Sequence, residues 1–416
     1  MKKQLLVFLL YASIPSAFYA QTMVTKHLYE FATPGGAGFP NDDINDHEAF
    51  KAAQAFFQAP GQLGNGTLIL EDGVYIMGVQ QLRDSVTQPA PGPEWEALGY
   101  PSAVAAQCKS MVANLSGFVL RGCSNFTIQG SGNTIIRYRD CLYYGTFFRD
   151  EETGAISSAV GLQDVPIEVI TVSGQDTVIS LDTVQRCITC DDPVHLPDGL
   201  DLNLRHAQVG VMLTFYDCDS ITVRDLELDG NLNNAILGGK PYWDGYQTWY
   251  DGIQLLTSVN CLIDNVNAHH FGKDGLQLDG GVPPSTLLAH HPDLEVDADG
   301  TIYFNNTVKD CKFNWNTRQG ISWVVGAGLT VTNCEMNYTG AGRLASAPSA
   351  GLDIEGGGNP YRLRRGVFND CEFLHNRGAG VHVDTGPCYG QQDFRFSKCV
   401  FKAGRMPMHF GPTVAA

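Results

Sequence analysis

The sequence predicts an all-β protein built as a stack of coils, a β-solenoid. A short pattern of glycine, apolar, free, apolar recurs five times between residues 252 and 384. The five repeats begin at Gly252, Gly275, Gly320, Gly351 and Gly380. A period of two over four or five residues is typical of a short strand with one buried face. The spacings of 23, 45, 31 and 29 residues fit one strand per coil with variable insertions.

A second strand pattern alternates with the first, as in residues 308–313 and 331–336. Each coil therefore has at least two strands, joined by Asn, Asp and Gly, which tolerate the left-handed backbone of tight corners. Four cysteines fall in register in this second pattern: Cys311, Cys334, Cys371 and Cys399. Their apolar neighbours predict a buried ladder of thiols inside the solenoid.

Composition agrees with one elongated domain, because repeat architectures grow along a single axis. The 416 residues include 46 glycines, and only 17% are charged, which fits many tight turns around a continuous core. We expect an amino-terminal segment with a capping helix over 21–60 and a β-helix over 61–416. Loop insertions are predicted near 83–111, 231–250 and 283–300.

Residues 1–20 have the pattern of a signal peptide, with Lys2 and Lys3 before an apolar run too short to span a bilayer. The sequence therefore predicts a secreted protein, extracellular or periplasmic. The formal net charge of −17 argues against nucleic acid and anionic membranes as partners, and no membrane insertion is expected. A neutral or weakly charged substrate, or a site that uses calcium, fits this charge better. Nothing in the sequence fixes the oligomeric state.

The amino-terminal helix is predicted from a capping box, with Asn45 as the cap and Glu48 three residues later. Apolar residues then follow at helical spacing, and the helix should end near Gln58, before Pro60. An amphipathic helix here would cover the open edge of the first coil.

Residues 42–75 carry a specific resemblance. Asp42-Asp43, the short helix and the run Gly66-Thr67-Leu68 with Gly73-Val74-Tyr75 resemble the opening of pectate-lyase-like, polygalacturonase-like proteins. The resemblance implies a single-stranded right-handed parallel β-helix over most of the chain, and an activity on polysaccharides. Polygalacturonase-like hydrolases also carry Asn-x-Asp, Asp-Asp, Gly-His-Gly and Arg-x-Lys motifs on successive coils. This chain has Asp251-Gly252 and Asp274-Gly275 at similar turns, without the Asp-Asp pair or the Gly-His-Gly, so polygalacturonase activity itself is not implied.

The candidate catalytic residues are predicted from the outward face of the glycine-led strands. Asp353 and Glu355 share one face at about 6.6 Å along the strand, and strands of neighbouring coils lie about 4.8 Å apart. That spacing places His382 and Asp384 beside them. Such crowding shifts pKa values, so an acid and a base coexist, as inverting glycoside hydrolysis requires. We expect Asp353 and Glu355 as acid and base, with Asp384 and His382 as tuning groups or alternates.

Substrate contacts are predicted from the same face and from an aromatic insertion. The predicted residues are Asp279, Gln277, Gln254, Asp274, Lys273, His270, Arg318, Trp243 and Trp249. The two tryptophans either stack on sugar rings or anchor their loop. No cofactor is required, and calcium is an option through Asp279, Glu355 and Asp384.

Two other functions stay open at this point. A polysaccharide lyase would need a Lys, Arg or His base beside a neutralised carboxylate. Its candidate bases are His269, His270, Lys273, Arg318 and His382. A solenoid that only binds glycans, such as an adhesin, would use the same exposed charges to stay soluble and to block association of sheet edges.

Overall fold

The structure is a computed structural model that describes most of the chain. The described residues are 23–32, 36–84, 110–114, 117–149, 156–159, 162–173, 176–187, 204–237, 250–356, 361–384, 392–402 and 406–410. The predicted signal peptide lies outside them. Within them, no helix has the length and the apolar character needed to cross a membrane.

A parallel sheet of eight strands, here named the front sheet, forms one wall of the described solenoid. Its strands are Phe118–Arg121, Leu213–Tyr216, Ile253–Leu256, Asp274–Asp279, Gln319–Trp323, Ala350–Glu355, Ala379–Asp384 and Met406–Phe410. Each strand pairs in parallel with the strand of the next coil, for example Ile253 with Leu276 and Leu352 with Val381. The predicted strand series is therefore present and in register.

The back sheet forms the remaining walls. Its strands in the described residues are Val24–His27, Gly64–Ile69, Gly73–Met77, Ser124–Tyr138, Thr222–Asp229, Leu262–His269, Thr307–Lys309, Thr330–Thr332, Arg364–Asn369 and Gln392–Ser397. Two short strands, Glu372–Leu374 and Val400–Lys402, pair beside it. Residues with left-handed φ angles bend the chain where one wall meets the next, among them Asp225, Asn265 and Asp310.

The core lies between these sheets and is filled by the apolar positions of the strands. Ile253, Leu276, Ile321 and Leu352 are fully buried at equivalent positions of consecutive coils. The predicted cysteine ladder is confirmed for Cys311, Cys334 and Cys371, because the residues that follow them pair across consecutive coils. All three thiols are buried and free of disulfide bonds. Cys399 is also in register but is only partly buried.

The amino-terminal helix, α1, runs His47–Gln58, so its cap position is Asp46, one residue later than the predicted cap at Asn45. Asp46 precedes it, but the Asp46 carboxylate instead accepts hydrogen bonds from the N–H groups of Gly38 and Ile76. The role predicted for the helix is confirmed in detail. Gln54 accepts a hydrogen bond from the Val119 N–H, and Gln58 bonds both backbone groups of Arg121. These amides replace the missing strand at the front-sheet edge, which would otherwise expose unpaired groups.

The remaining elements are insertions between coils. Among the residues that the structure describes, a second helix, α2, lies at Pro284–His290, and short 3-10 turns lie at Leu28–Phe31 and Leu232–Asn234. Leu162–Ser173 and Asp176–Cys187 form an antiparallel hairpin. A smaller sheet joins Gln80–Asp84, Ser110–Asn114, Tyr143–Arg149, Ile156–Ala159, Leu204–Gln208 and Ile236–Leu237.

Candidate active site

The outer face of the front sheet carries a continuous row of polar side chains, here named the polar row. Its central members are in register across six consecutive strands: Gln254, Gln277, Ser322, Asp353, His382 and His409. They alternate along each strand with the apolar residues that fill the core, so they project from the opposite face. Asp279, Glu355 and Asp384 lie two residues further along their strands.

The amino-terminal end of the row is a buried network of ion pairs. Arg318 donates two hydrogen bonds to Asp274, from Nε at 2.9 Å and from a terminal nitrogen at 2.7 Å. Lys273 Nζ lies 3.5 Å from Asp251 Oδ2 and 3.7 Å from Asp274 Oδ2. All four side chains are about nine-tenths buried or more. At that depth a charged side chain destabilises the fold unless a group of opposite charge pairs with it.

These ion pairs offset what burial does to each charge. Burial raises the pKa of Asp251 to about 6, although Lys273 acts in the opposite direction. Burial by itself would lower the pKa of Arg318, but the Asp274 carboxylate reverses that effect and holds it above its ordinary range. Arg318 therefore stays charged, and Asp274 is its hydrogen-bonded partner, while Asp353 and Glu355 interact with its charge more weakly.

The same two coils also carry a series of amide hydrogen bonds along the row. Gln254 Nε2 donates to Asp251 Oδ2 at 2.9 Å and to Gln277 Oε1 at 2.7 Å. Gln277 Nε2 in turn donates to Asp279 Oδ2 at 3.2 Å. These hydrogen bonds connect one coil to the next, and Gln254 and Asp279 remain half-buried at the surface.

The carboxy-terminal end is organised around Asp353. His382 Nδ1 lies 2.8 Å from Asp353 Oδ1, and Gln319 Nε2 donates to the other carboxylate oxygen. The Asp353 side chain is only 3% exposed, whereas that of His382 is 20% exposed. The hydrogen bond to Asp353 raises the pKa of His382, and burial raises the pKa of Asp353 against the opposing effect of His382. Because Nδ1 is occupied, Nε2 is the free nitrogen of this imidazole.

Glu355 and Asp384 form a half-buried carboxyl pair at the surface above Asp353. They are direct partners in the ladder, so their backbones lie about 4.8 Å apart. Burial, followed by the neighbouring Asp353, raises the pKa of Glu355. Glu355 makes no hydrogen bond or ion pair to another residue that the structure describes. A carboxyl group in this setting retains its proton at a higher pH than an exposed glutamate does.

The structure changes what several predicted site residues can do. Lys273, Asp274 and Arg318 were expected to touch substrate, but their burial in ion pairs leaves them almost no surface for contact. Asp353 was expected to be exposed as an acid or base, yet it lies beneath His382 and Gln319. The physical reason is charge pairing, because an unpaired charge at these depths would cost several kcal/mol.

Other predicted residues lie apart from the carboxy-terminal end. His270 belongs to a separate cluster with His269 and Asp229. The trio expected to hold calcium is not brought together, because Asp279 is two strands, or about 9.6 Å, from Glu355. Trp243 and Trp249 lie outside the described residues.

Gln319 and His409, which contact Asp353 and His382, do not appear among the residues predicted from the sequence. Gln319 occupies the position before its glycine that Asp274 occupies one coil earlier. His409 pairs with His382, and their rings stack with centroids 5.0 Å apart. The strand of His409 has the same alternation of apolar and polar residues as the other strands but lacks the leading glycine. The glycine-led pattern therefore does not include it.

A cavity of about 630 Å³ lies at a different corner of the solenoid, beside helix α2. Asp217 lines it and contacts both His290 and His291. None of the polar-row residues is among its lining residues. The acidic loop of 295–299 is fixed by the back sheet, since Asp299 and Glu295 pair with Arg362 and Arg365. This insertion therefore forms a wall of the cavity and not of the polar row.

The family model described as "Right handed beta helix region" matches residues 211–411. The fold is a right-handed parallel β-helix. This confirms the fold class predicted from the sequence. The matched residues include every strand of the front sheet except the first. They therefore include every residue of the polar row.

Three solved structures illustrate the likeness of this β-helix to known proteins. The tailspike protein gp49 of Acinetobacter baumannii bacteriophage Fri1, a capsular polysaccharide depolymerase, is 12% identical over 93% of this chain, with a TM-score of 0.43. This chain spans 48% of its length. The GH87 α-1,3-glucanase of Streptomyces thermodiastaticus is 12% identical, with coverages of 94% and 56% and a TM-score of 0.33.

The third structure is the polygalacturonase of Erwinia carotovora ssp. carotovora. It is 12% identical, with coverages of 95% of this chain and 96% of that chain and a TM-score of 0.31. At such identities the likeness concerns the fold alone. Among curated proteins, none matches this chain.

Proposed function

We propose that this β-helix is a secreted enzyme that cleaves a polysaccharide by glycoside hydrolysis at the carboxy-terminal end of its polar row. The observation that carries the proposal is the half-buried pair Glu355 and Asp384 above the buried Asp353–His382 hydrogen bond. Glycoside hydrolysis uses two carboxyl groups, one of which must hold a proton near the working pH. The raised pKa of Glu355 suits the general acid, and Asp384 is its partner as base or nucleophile.

His382 and Asp353 support this pair in the proposed mechanism. Asp353 fixes the ring of His382 through Nδ1, and His382 lies two residues before Asp384 on the same strand. Side chains two residues apart on a strand share a face, about 6.6 Å apart. An oriented imidazole there can bind a sugar hydroxyl through Nε2. In its protonated form it also offsets the negative charge of the neighbouring carboxylates. Asp353 thus acts through His382, as a positioning residue.

The substrate proposed here is a neutral or weakly charged glycan. A polyanionic glycan would need cations at the surface of the row, and the Arg318 guanidinium is already paired with Asp274 beneath it. Gln254 and Asp279 offer an amide and a carboxylate group at neighbouring coils, which suit the hydroxyl groups of sugars, and the buried Gln277 holds both in place. No cofactor is part of this proposal.

A lyase is the second candidate, and one observation favours it. His382 is partly exposed, oriented by a carboxylate and raised in pKa by it, as a base that abstracts a sugar proton would be. Elimination leaves an unsaturated uronide that absorbs in the ultraviolet, whereas hydrolysis does not. The two functions are therefore separated by the product.

The test is a panel of neutral and acidic polysaccharides, with new reducing ends and product absorbance measured for each. We expect reducing ends without ultraviolet absorbance, unaffected by a calcium chelator. Glu355→Gln and Asp384→Asn should abolish turnover while Asp310→Asn, an exposed corner residue, retains it. A product that absorbs would establish the lyase instead. Glycan binding without turnover in the unmodified protein would leave the binding-only solenoid.

A further inference from the structure

The corner where the back sheet turns toward the front sheet holds a second cluster of functional side chains. Asp229 and His269 are direct partners in neighbouring strands, Thr222–Asp229 and Leu262–His269. His270 follows with a left-handed φ of 56°, which turns its ring back toward His269. None of the three belongs to the polar row, and no step of the proposed hydrolysis uses them.

The nitrogen and oxygen atoms of this cluster converge on one point. His269 Nδ1 lies 2.7 Å from His270 Nδ1 and 3.7 Å from Asp229 Oδ1. One ligand atom from each of the three residues lies within 4.8 Å of the others. Ligands held at 2.0–2.1 Å around a tetrahedral ion are about 3.3 Å apart. The observed separations lie on either side of that value, so small ring rotations would place all three around one ion.

The outer contacts direct the correct nitrogen inward. His269 Nε2 lies 3.2 Å from Glu227 Oε1, and this contact with His269 lowers the pKa of Glu227. A carboxylate bound to the far ring nitrogen holds the proton there and leaves Nδ1 with its lone pair, as in carboxylate–histidine–metal arrangements. The ring of His270 is held by stacking on Trp315, with an interplanar angle of 10°.

The surroundings of His270 favour its neutral form, which is the form that binds metal. Burial, together with the neighbouring His269, lowers the pKa of His270. Two groups act against a cation: Arg137 Nε lies 3.3 Å from Asp229 Oδ2, and the Asn231 N–H donates to Asp229 Oδ1 at 2.8 Å. With both contacts in place, the Asp229 carboxylate still has lone pairs that can bind a metal ion. The positive charge of Arg137 reduces the electrostatic attraction of the site for a cation that is held by charge alone.

We propose that Asp229, His269 and His270 form a binding site for a divalent transition-metal ion of the zinc type. Two imidazoles and one carboxylate are the donors that zinc, cobalt or nickel prefer, whereas calcium takes six to eight oxygens. The three residues come from two consecutive coils, so a bound ion joins these coils at the corner. Three protein ligands leave a fourth position for water.

The chain contains its own control, a second pair of adjacent histidines. His290 and His291 both direct a ring nitrogen to the single carboxylate of Asp217, and their ring centroids are 6.4 Å apart. The other ring nitrogen of His291 lies 4.0 Å from Asp219 Oδ2, whereas Nδ1 of His269 and Nδ1 of His270 contact each other directly. A metal ion that binds any exposed imidazole would bind both histidine pairs. An ion that requires the converging ligands would bind only at His269 and His270.

The experiment measures binding of Zn²⁺ alone to the chelator-treated full chain by calorimetry, with Co²⁺ absorption as a second probe. We expect His269→Gln and His270→Gln each to lose one equivalent of metal, and Asp229→Asn to weaken that equivalent at least tenfold. His291→Gln should bind as the unmodified chain does. Zn²⁺ should raise the melting temperature of the unmodified chain and not that of His270→Gln, because an ion that binds only the folded state stabilises it.

Equal metal binding by the unmodified chain and His270→Gln, or a loss caused by His291→Gln, would overturn the site. Circular dichroism in chelator shows whether each variant folds. Where a variant does not fold, X-ray absorption of the zinc-loaded unmodified chain decides the question. A first shell with two imidazoles supports the site, and a shell of oxygens alone shows that the two histidines only share a hydrogen bond.

Discussion

The two ends of the polar row occupy equivalent positions on one sheet but differ in how their charges are balanced. At the amino-terminal end, Asp251 and Asp274 are matched by Lys273 and Arg318, and all four are buried. At the carboxy-terminal end, the buried Asp353 contacts His382, and Glu355 stays half-buried with a raised pKa, although Arg318 acts on that pKa in the opposite direction. The same backbone thus supports a locked network at one end and titratable groups at the other. The geometry of the coils determines where the side chains lie. The pairing of charges determines which of those side chains can still exchange a proton or contact a substrate.

The largest expected effect is on turnover, and it belongs to the carboxy-terminal end alone. Glu355→Gln removes the proposed general acid without changing the size of the side chain. Positioned acid–base groups contribute about 10²- to 10⁴-fold to rate, so turnover should fall by that factor. The unfolding midpoint should be nearly unchanged, because Glu355 has no hydrogen bond or ion pair within the described residues. Initial rates and urea denaturation on one preparation check both statements, and retained turnover would exclude Glu355 as the acid.

The next effect is on stability, and it belongs to the amino-terminal end. Arg318→Met leaves Asp274 buried with its main partner removed, which costs about 3–5 kcal/mol in the free energy of unfolding. Arg362→Met is the matched control, since Arg362 pairs with Asp299 at the surface and should cost less than about 1 kcal/mol. Equilibrium denaturation measures both. Equal losses for the two variants would mean that the buried network is not what holds this end.

A smaller loss is expected for the glycines that both ends share. A Cβ atom on Gly275 would lie 2.6 Å from Asn316 Nδ2 and 2.9 Å from the Gly320 carbonyl. Asn316 cannot move freely, because its side chain is hydrogen-bonded to the backbone of Phe271 and Ala268. We expect Gly275→Ala to cost about 1–3 kcal/mol by overpacking. Gly342→Ala, with no atom within 4 Å of its added Cβ, should cost much less in the same denaturation experiment.

The smallest effect is a change in one titration. Asp353→Asn removes the carboxylate whose hydrogen bond raises the pKa of His382, so that pKa should fall, since burial alone lowers it. In the unmodified chain the raised pKa stabilises the fold fully below the ordinary histidine value of about 6.5. This contribution is lost as the pH rises through the folded value. Imidazole NMR titration checks the shift, and His375, whose pKa is lowered by burial elsewhere, should not move.

Much of this molecule could be predicted from the sequence because its physics is local and repeated. Alternation of apolar and polar residues after Gly252, Gly275 and Gly351 fixes which side chains enter the core. Equal positions in successive coils then bring Asp353 beside His382 and Glu355 beside Asp384, as expected. The thiol ladder and the capping helix follow from the same reasoning.

Burial and charge pairing were decided only by the tertiary structure, because they depend on residues far apart in the chain. Alternation says that Asp353 leaves the core face, but not that Gln319 and His382 cover it. Lys273 and Arg318 look like exposed cations in the sequence until their distances to Asp251 and Asp274 are known. The convergence of His269 and His270 likewise rests on one left-handed residue at a corner. The repeat determines which residues are neighbours, whereas three-dimensional packing determines which of those neighbours keep a free charge or a lone pair.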